Sequence, residues 1–242
     1  FLAALRRELP IATKPYLPGS GTLGLVIVDE VNGFCTVGAG NLAPPKPDKQ
    51  VANMVRRTDQ FARDFLGKGR PVLAFLDTHE PGVPEPPYPP HCERGTGEED
   101  FVAELEWLER HPDVTLVRKN CINGFVGSIE IAPKGHGLSH NRCVDWINVH
   151  GLSSVVVVGI CTDICVMDFV LTLLSARNHH LTPTLKDVVV MEPACATFDL
   201  PRAQVEDLSL PHTAAHPKEV THHMGLYFMA SRGAIISESI VE

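Results

Sequence analysis

Hydrophobic positions along the chain fall into two kinds of run. Short, nearly unbroken apolar runs rich in β-branched residues recur at Leu23–Asp29, Val72–Asp77, Thr115–Arg118, Val155–Ile160, Asp187–Met191 and Ala234–Ser237. They lack strict alternation, so they predict strands covered on both faces, as in a parallel sheet. Between them, mixed stretches predict helices over Asp48–Leu66, Asp100–Glu109, Leu138–His150, Asp163–Asn178 and Ala214–Ser231. In the first of these, Val51, Met54, Val55, Thr58, Phe61, Ala62 and Phe65 recur at helical spacing and give one buried stripe. Strands alternating with helices imply right-handed crossovers and a doubly wound α/β sheet. With no internal repeat and no dividing linker, residues 1–242 are expected to form one domain, with 1–20 as an N-terminal extension. The proline-rich stretch within 80–99 suits neither helix nor central strand and reads as a functional loop.

Composition narrows the function. The 242 residues carry a formal charge of −8 and no run of Lys or Arg, which argues against nucleic acid as a partner. The longest apolar blocks fall far short of the roughly 20 residues that a membrane span needs. Seven cysteines are too few and too scattered for a disulfide scaffold, so a reducing setting is expected, cytoplasmic and secondarily nuclear. The chain begins at Phe1, which leaves a preceding targeting segment open.

In doubly wound sheets, ligands bind beyond the carboxyl ends of the strands. Asp29 ends the first strand, Asp77 and His79 the second, and Lys119 the third, while the fourth runs into Gly159-Ile-Cys161-Thr-Asp-Ile-Cys165. Singly, a strand-end Asp reads as a turn former, a Lys as a solvated charge and a Cys as a small hydrophobe. Four such groups on one rim point instead to a site. If Thr162 caps the following helix, Cys165 lies in the first turn, where free N–H groups and the helix dipole favour thiolate. Cys165 is then the nucleophile, and Cys161 contributes mainly backbone. Asp29 is placed to take the thiol proton, and Lys119 to hold Asp29 and the thiolate by charge. The oxyanion donors are the backbone N–H groups of Cys161 and Cys165. This arrangement predicts acyl transfer through a thioester. Two packing cysteines are the competing reading of the same residues.

A second group is Asp77, His79 and His91. An i, i+2 pair at a strand end points both side chains one way, and a loop histidine completes a facial triad suited to Zn²⁺, Fe²⁺ or Mn²⁺. Histidines that only hydrogen-bond within a loop are the alternative. His179-His180 and His222-His223 are expected to be solvated.

The stretches VIVDEVNGFC, FLDTHE, PPHCERGT, VRKN and VGICTDICV, in this order, resemble the nicotinamidases of the isochorismatase-like cysteine hydrolase superfamily, the plant members above all. The resemblance runs from about Leu23 to about Thr197. It implies a three-layer, Rossmann-like α/β/α fold with a six-stranded, mostly parallel sheet, and hydrolysis of nicotinamide to nicotinate and ammonia. By position it assigns Asp29, Lys119 and Cys165 as the triad, and Asp77, His79 and His91 as ligands of one divalent ion, zinc first, with iron or manganese as alternatives. In this family the metal binds the pyridine nitrogen. The resemblance further implies a cis peptide at Ile160–Cys161, aromatic residues Phe34 and Tyr88 over the ring, Ile160 and Phe125 as additional lining, and a homo-oligomer. The chain departs from the family in carrying Val31 for a common Gln, prolines and Glu85 for a histidine of bacterial members, and Tyr88 for a Trp. An amidase for another small amide or carbamoyl compound, a catalytically silent binding protein, and a metallohydrolase using metal-bound water are the competing functions.

Overall fold

The computed structural model describes residues 1–83, 85–131 and 139–242. In chain order the elements are α1 (Leu2–Glu8), β1 (Thr22–Val28), α2 (Asn32–Cys35), α3 (Lys49–Gly67), β2 (Val72–Asp77), a 3₁₀ helix (Ala103–Arg110) and β3 (Val114–Lys119). There follow α4 (Gly124–Gly127), β4 (Ile129–Glu130), β5 (His140–Asn141), α5 (Arg142–Val149), β6 (Leu152–Ile160) and α6 (Cys165–Asn178). The chain then runs through β7 (Asp187–Ala196), α7 (Arg202–Asp207), α8 (Lys218–Ser231) and β8 (Ile235–Ser237). Six strands form one sheet in the order β3–β2–β1–β6–β7–β8, and every neighbouring pair is parallel.

The unbroken apolar runs have a direct structural reason. Successive side chains of a strand face opposite sides, and both sides of this sheet are covered. Val26, Val28, Leu73, Phe75, Val155 and Val157 pack with Trp146 and Ile147 of α5, Phe169 and Leu173 of α6, and Met229 of α8. Their neighbours Leu25, Ile27, Ala74, Leu76, Val156 and Val158 pack with Met54, Ala62 and Phe65 of α3 and Leu105 and Leu108 of the 3₁₀ helix. The three-layer arrangement follows from that alternation. Helix α3 opens on Asp48, whose carboxylate accepts from the Gln50 and Val51 N–H groups.

Helices begin later than their sequence pattern predicts where tertiary contacts claim the first residues. Phe101 bridges Val31 and the Val102 N–H donates to Glu30 O, so only Ala103–Arg110 turns, and as a 3₁₀ helix. His216 bridges Leu200 and Pro217 precedes the first turn of α8, which starts at Lys218 rather than Ala214. Helix α5 starts at Arg142; Leu138, the predicted start, lies outside the described residues. The expected extension at 1–20 is tied to the sheet: Tyr16 is buried, its hydroxyl donates to Asp187 Oδ2 at 2.8 Å and accepts from Ser154 Oγ at 2.7 Å, and a parallel bridge joins it to Ile240. Among the described residues, no helix is long and apolar enough to cross a membrane.

Chain order reverses about β1, with β2 and β3 on one side and β6 to β8 on the other. The carboxyl ends of β1 and β6 therefore flank the switch point, where a crevice forms in such sheets. Asp29 follows β1, Asp77 and Lys119 end β2 and β3 in paired register, and the turn after β6 leads to Cys165.

Candidate active site

Asp29 comes directly off β1 with a left-handed backbone, φ 54°, a conformation that costs a non-glycine residue about 1 kcal/mol or more and clusters at functional positions. Its carboxylate is fully buried, with Oδ2 2.9 Å from Lys119 Nζ. The same ammonium donates to Asp77 Oδ1 at 2.8 Å and to Cys121 O at 3.0 Å. Asp29 Oδ1 has no fixed donor among the described residues, and the Cys165 thiol bears on this carboxylate. Burial pushes the Asp29 carboxyl up to about 7, against the pull of Lys119. Burial would lower the Lys119 ammonium, but Asp29 and Asp77 outweigh it and hold Lys119 charged. Asp77 is the opposite case to Asp29: burial is outweighed by Lys119, His79 and His91, and it stays a carboxylate.

Cys165 is the first residue of α6, so its N–H has no carbonyl one turn back to bond. Thr162 is not the cap. Ile164 occupies that position without a side-chain cap, while Thr162 is drawn inward, its N–H and Oγ1 both donating to Ala196 O at 2.8 and 3.0 Å. The sequence also predicts a lowered Cys165 thiol. In the structure burial pushes it up, with Lys119 the counterweight and the Asp29 carboxyl group beside it. The Ile160–Cys161 peptide is cis, as the resemblance implies. Cys161 O accepts from the Ile164 and Val166 N–H groups.

Asp77, His79 and His91 are all buried, and one ligand atom from each lies within 4.8 Å of the others. Asp77 Oδ2 stands 3.1 Å from His79 Nε2 and 3.2 Å from His91 Nε2. His91 Nδ1–H donates to Pro89 O at 2.8 Å, which fixes the tautomer with its Nε2 lone pair facing the cluster. One carboxylate and two imidazoles, converged with a set tautomer, fit a divalent transition-metal ion. Glu85 was not singled out as a ligand by the sequence, yet Oε2 lies 3.5 Å from His79 Nε2 and 3.6 Å from His91 Nε2, while Oε1 accepts from the Ile122 N–H. Proline-rich loops carry no periodic signal; the one pointer in the sequence is that Glu85 lies in the stretch where bacterial members of the family carry a further histidine.

The aromatic expectations divide. Phe34 and Tyr88 flank His91, with ring centroids 5.7 and 6.0 Å away, and both are half-buried. Phe34 is set there because the Asn32 and Gly33 N–H groups donate to Asp100 O and Glu98 O of the loop after His91. Ile160 is buried in the apolar cluster that Phe34 joins. Phe125 packs into the opposite cluster, with Phe75, Phe169 and Cys165. The expectation for His222-His223 is corrected: His222 Nδ1–H donates to Thr162 Oγ1 at 2.9 Å, and His223 is buried with Nε2–H donating to Leu9 O at 3.0 Å.

Comparison with known proteins agrees with this geometry. The isochorismatase domain model matches residues 24–234. The chain is 48% identical to nicotinamidase 1 of Arabidopsis thaliana, over 98% of this chain and 94% of that protein. In fold it is similar to a nicotinamidase of Bacillus subtilis, with TM-score 0.64 and 20% identity over 90% of this chain and 100% of that one. It is similar too to a zinc complex of the pyrazinamidase of Pyrococcus horikoshii, with TM-score 0.58 and 20% identity over 91% and 98%. By its sequence match and its architecture, the chain belongs to the isochorismatase domain family.

Proposed function

We propose that the chain is a nicotinamidase, an amidohydrolase that converts nicotinamide to nicotinate and ammonia in NAD salvage. The observation that carries this reading is Lys119: one buried ammonium, 2.9 Å from Asp29 and 2.8 Å from Asp77, joins the thiol pair to the ligand cluster. The 48% identity to a curated nicotinamidase supports the same substrate.

The chemistry follows from the residues. Cys165 Sγ attacks the carboxamide carbon as its proton passes to Asp29, a carboxylate whose burial suits it to hold a proton near neutrality. The N–H groups of Cys161 and Cys165 donate to the oxygen that gains charge. Asp29 returns the proton to nitrogen, the C–N bond breaks, and ammonia leaves a thioester on Sγ. Water then attacks the thioester carbon and gives Asp29 a proton; the C–S bond breaks, and nicotinate and the thiol are released. Lys119 remains charged throughout and offsets whichever of Asp29 or Cys165 is anionic. A divalent ion held by Asp77, His79 and His91, with Glu85 beside it, supplies a Lewis-acidic position for the ring nitrogen; zinc is the first choice, iron or manganese the alternatives. Phe34 and Tyr88 border the ring.

Ammonia release from nicotinamide by the metal-replete chain tests the proposal. Expected are turnover in wild type, loss with chelator, and near-total loss in C165A with metal still bound. A wild-type chain that releases no ammonia overturns it. A C165A variant that still turns over would instead favour attack by metal-bound water. An amidase for another small amide would have less use for the Asp77, His79 and His91 cluster, because such substrates lack a ring nitrogen. A homo-oligomer in the cytoplasm completes the reading; seven free thiols support a reducing setting.

A further inference from the structure

The turn that carries the nucleophile, residues 161–164, is held from outside by the C-terminal part of the chain. Asp163 Oδ1 accepts from Thr197 Oγ1 at 2.7 Å, and Oδ2 lies 2.6 Å from His216 Nε2. The other ring nitrogen, His216 Nδ1, lies 3.0 Å from Phe198 O. Both partners are acceptors, a carboxylate and a carbonyl, and Thr221 Oγ1 stands 3.5 Å from the same Nδ1. The ring also stacks on Phe198, with centroids 3.8 Å apart and planes 12° apart. Histidine and aspartate side chains are each about one-eighth exposed, so the pair is largely withdrawn from water. Burial would raise the Asp163 carboxyl, but the bonds from His216 and Thr197 outweigh it.

Two further contacts reach the same turn from α8. His222 Nδ1–H donates to Thr162 Oγ1, the hydroxyl that in turn donates to Ala196 O. Gly225 lies so close that a Cβ there would stand 2.7 Å from Asp163 Cα, backbone that has nowhere to move. Together they press residues 162 and 163 between α8 and the end of β7, immediately before Cys165.

We propose that His216 is a positioning residue for the thiol: through its paired hydrogen bonds to Asp163 and Phe198 it fixes the turn that aims Cys165 Sγ at the substrate carbon. His216 lies 53 residues from Asp163 in the chain, and the mechanism above makes no use of either. The inference rests on the nicotinamidase reading for its substrate.

The test uses the purified, metal-replete chain. H216F keeps a ring to stack on Phe198 but removes both donors; D163A removes the acceptor. Each is expected to lower kcat by about ten- to a hundred-fold, as sub-ångström to ångström misplacement does, with KM within about two-fold of wild type. D163N is expected to stay within about three-fold of wild type, because its amide donates to Nε2 of a ring that keeps the Nδ1 proton for Phe198. The double variant D163A/H216F is expected to be no worse than either single one. Mass-spectrometric rates of Cys165 alkylation by iodoacetamide, which need no substrate, are expected to change in H216F and D163A and not in D163N. Folded H216F with wild-type kcat and alkylation rate overturns the proposal, as does D163N falling as far as D163A. If wild type releases no ammonia, the functional reading fails by itself, and the alkylation rates still decide the role of His216.

Discussion

Glu30 sits one residue beyond Asp29 and is equally buried, yet among the described residues it faces no cation. Thr58 Oγ1 donates to Glu30 Oε1 at 2.5 Å, and Oε2 has no partner among the described residues. Burial, with only that hydroxyl opposing it, pushes its carboxyl from 4.5 up to about 8. Between those values the folded chain holds a proton that the unfolded chain has lost. Stability contributed by this site is complete below pH 4.5 and is lost as pH rises through about 8, at about 1.4 kcal/mol per pH unit. E30Q keeps the shape and cannot ionise. Urea unfolding at several pH values is expected to show E30Q gaining on wild type across that window and levelling off above it; parallel curves would refute the assignment. The contrast with Asp29 shows what was legible at this scale. Residue type and strand-end position point to Asp29, Lys119, Cys165, Asp77 and His79, with His91 read as the loop histidine that completes the ligand set. Position in sequence says nothing about His216, whose partner Asp163 lies 53 residues away.

At the scale of elements, the strands were readable because burial on both faces leaves β-branched residues no polar alternation to hide in. Helix starts were not, since they depend on which backbone groups tertiary contacts claim first, as at Phe101, Thr162 and His216. Segments as short as α2, α4, β4 and β5 offer too few residues for any period to show. One glycine decides how two strands meet. Gly159 has φ 126°, and a Cβ there would stand 2.1 Å from Val28 O on β1. No side chain can be accommodated without parting β1 from β6 at the switch point. G159A is therefore expected to destabilise the fold by about 3 kcal/mol or more, read as a lowered urea midpoint with the slope unchanged. A wild-type midpoint would mean that the strand pair adjusts.

For the whole molecule, the Asp77, His79 and His91 cluster predicts linkage between metal and stability. Ligand atoms from β2 and from the loop after it are brought together only in the folded chain, so an ion bound there favours folding by about 2.7 kcal/mol at a hundredfold excess over its Kd. Zinc added to chelator-treated protein is expected to raise Tm in a concentration-dependent way in wild type and C165A, and much less in D77N. Equal shifts in all three would place the ion elsewhere.

The ammonium of Lys119 is clasped by two acids that belong to different jobs, one serving sulfur and the other serving the cation pocket. Whatever drains charge from one side is felt on the other, so neither half can be retuned in isolation. Anyone grafting a new pocket onto this scaffold, or trading its metal for another, inherits an altered nucleophile at the same stroke. Swapping the sulfur for a hydroxyl would in turn reset how tightly the pocket grips its ion.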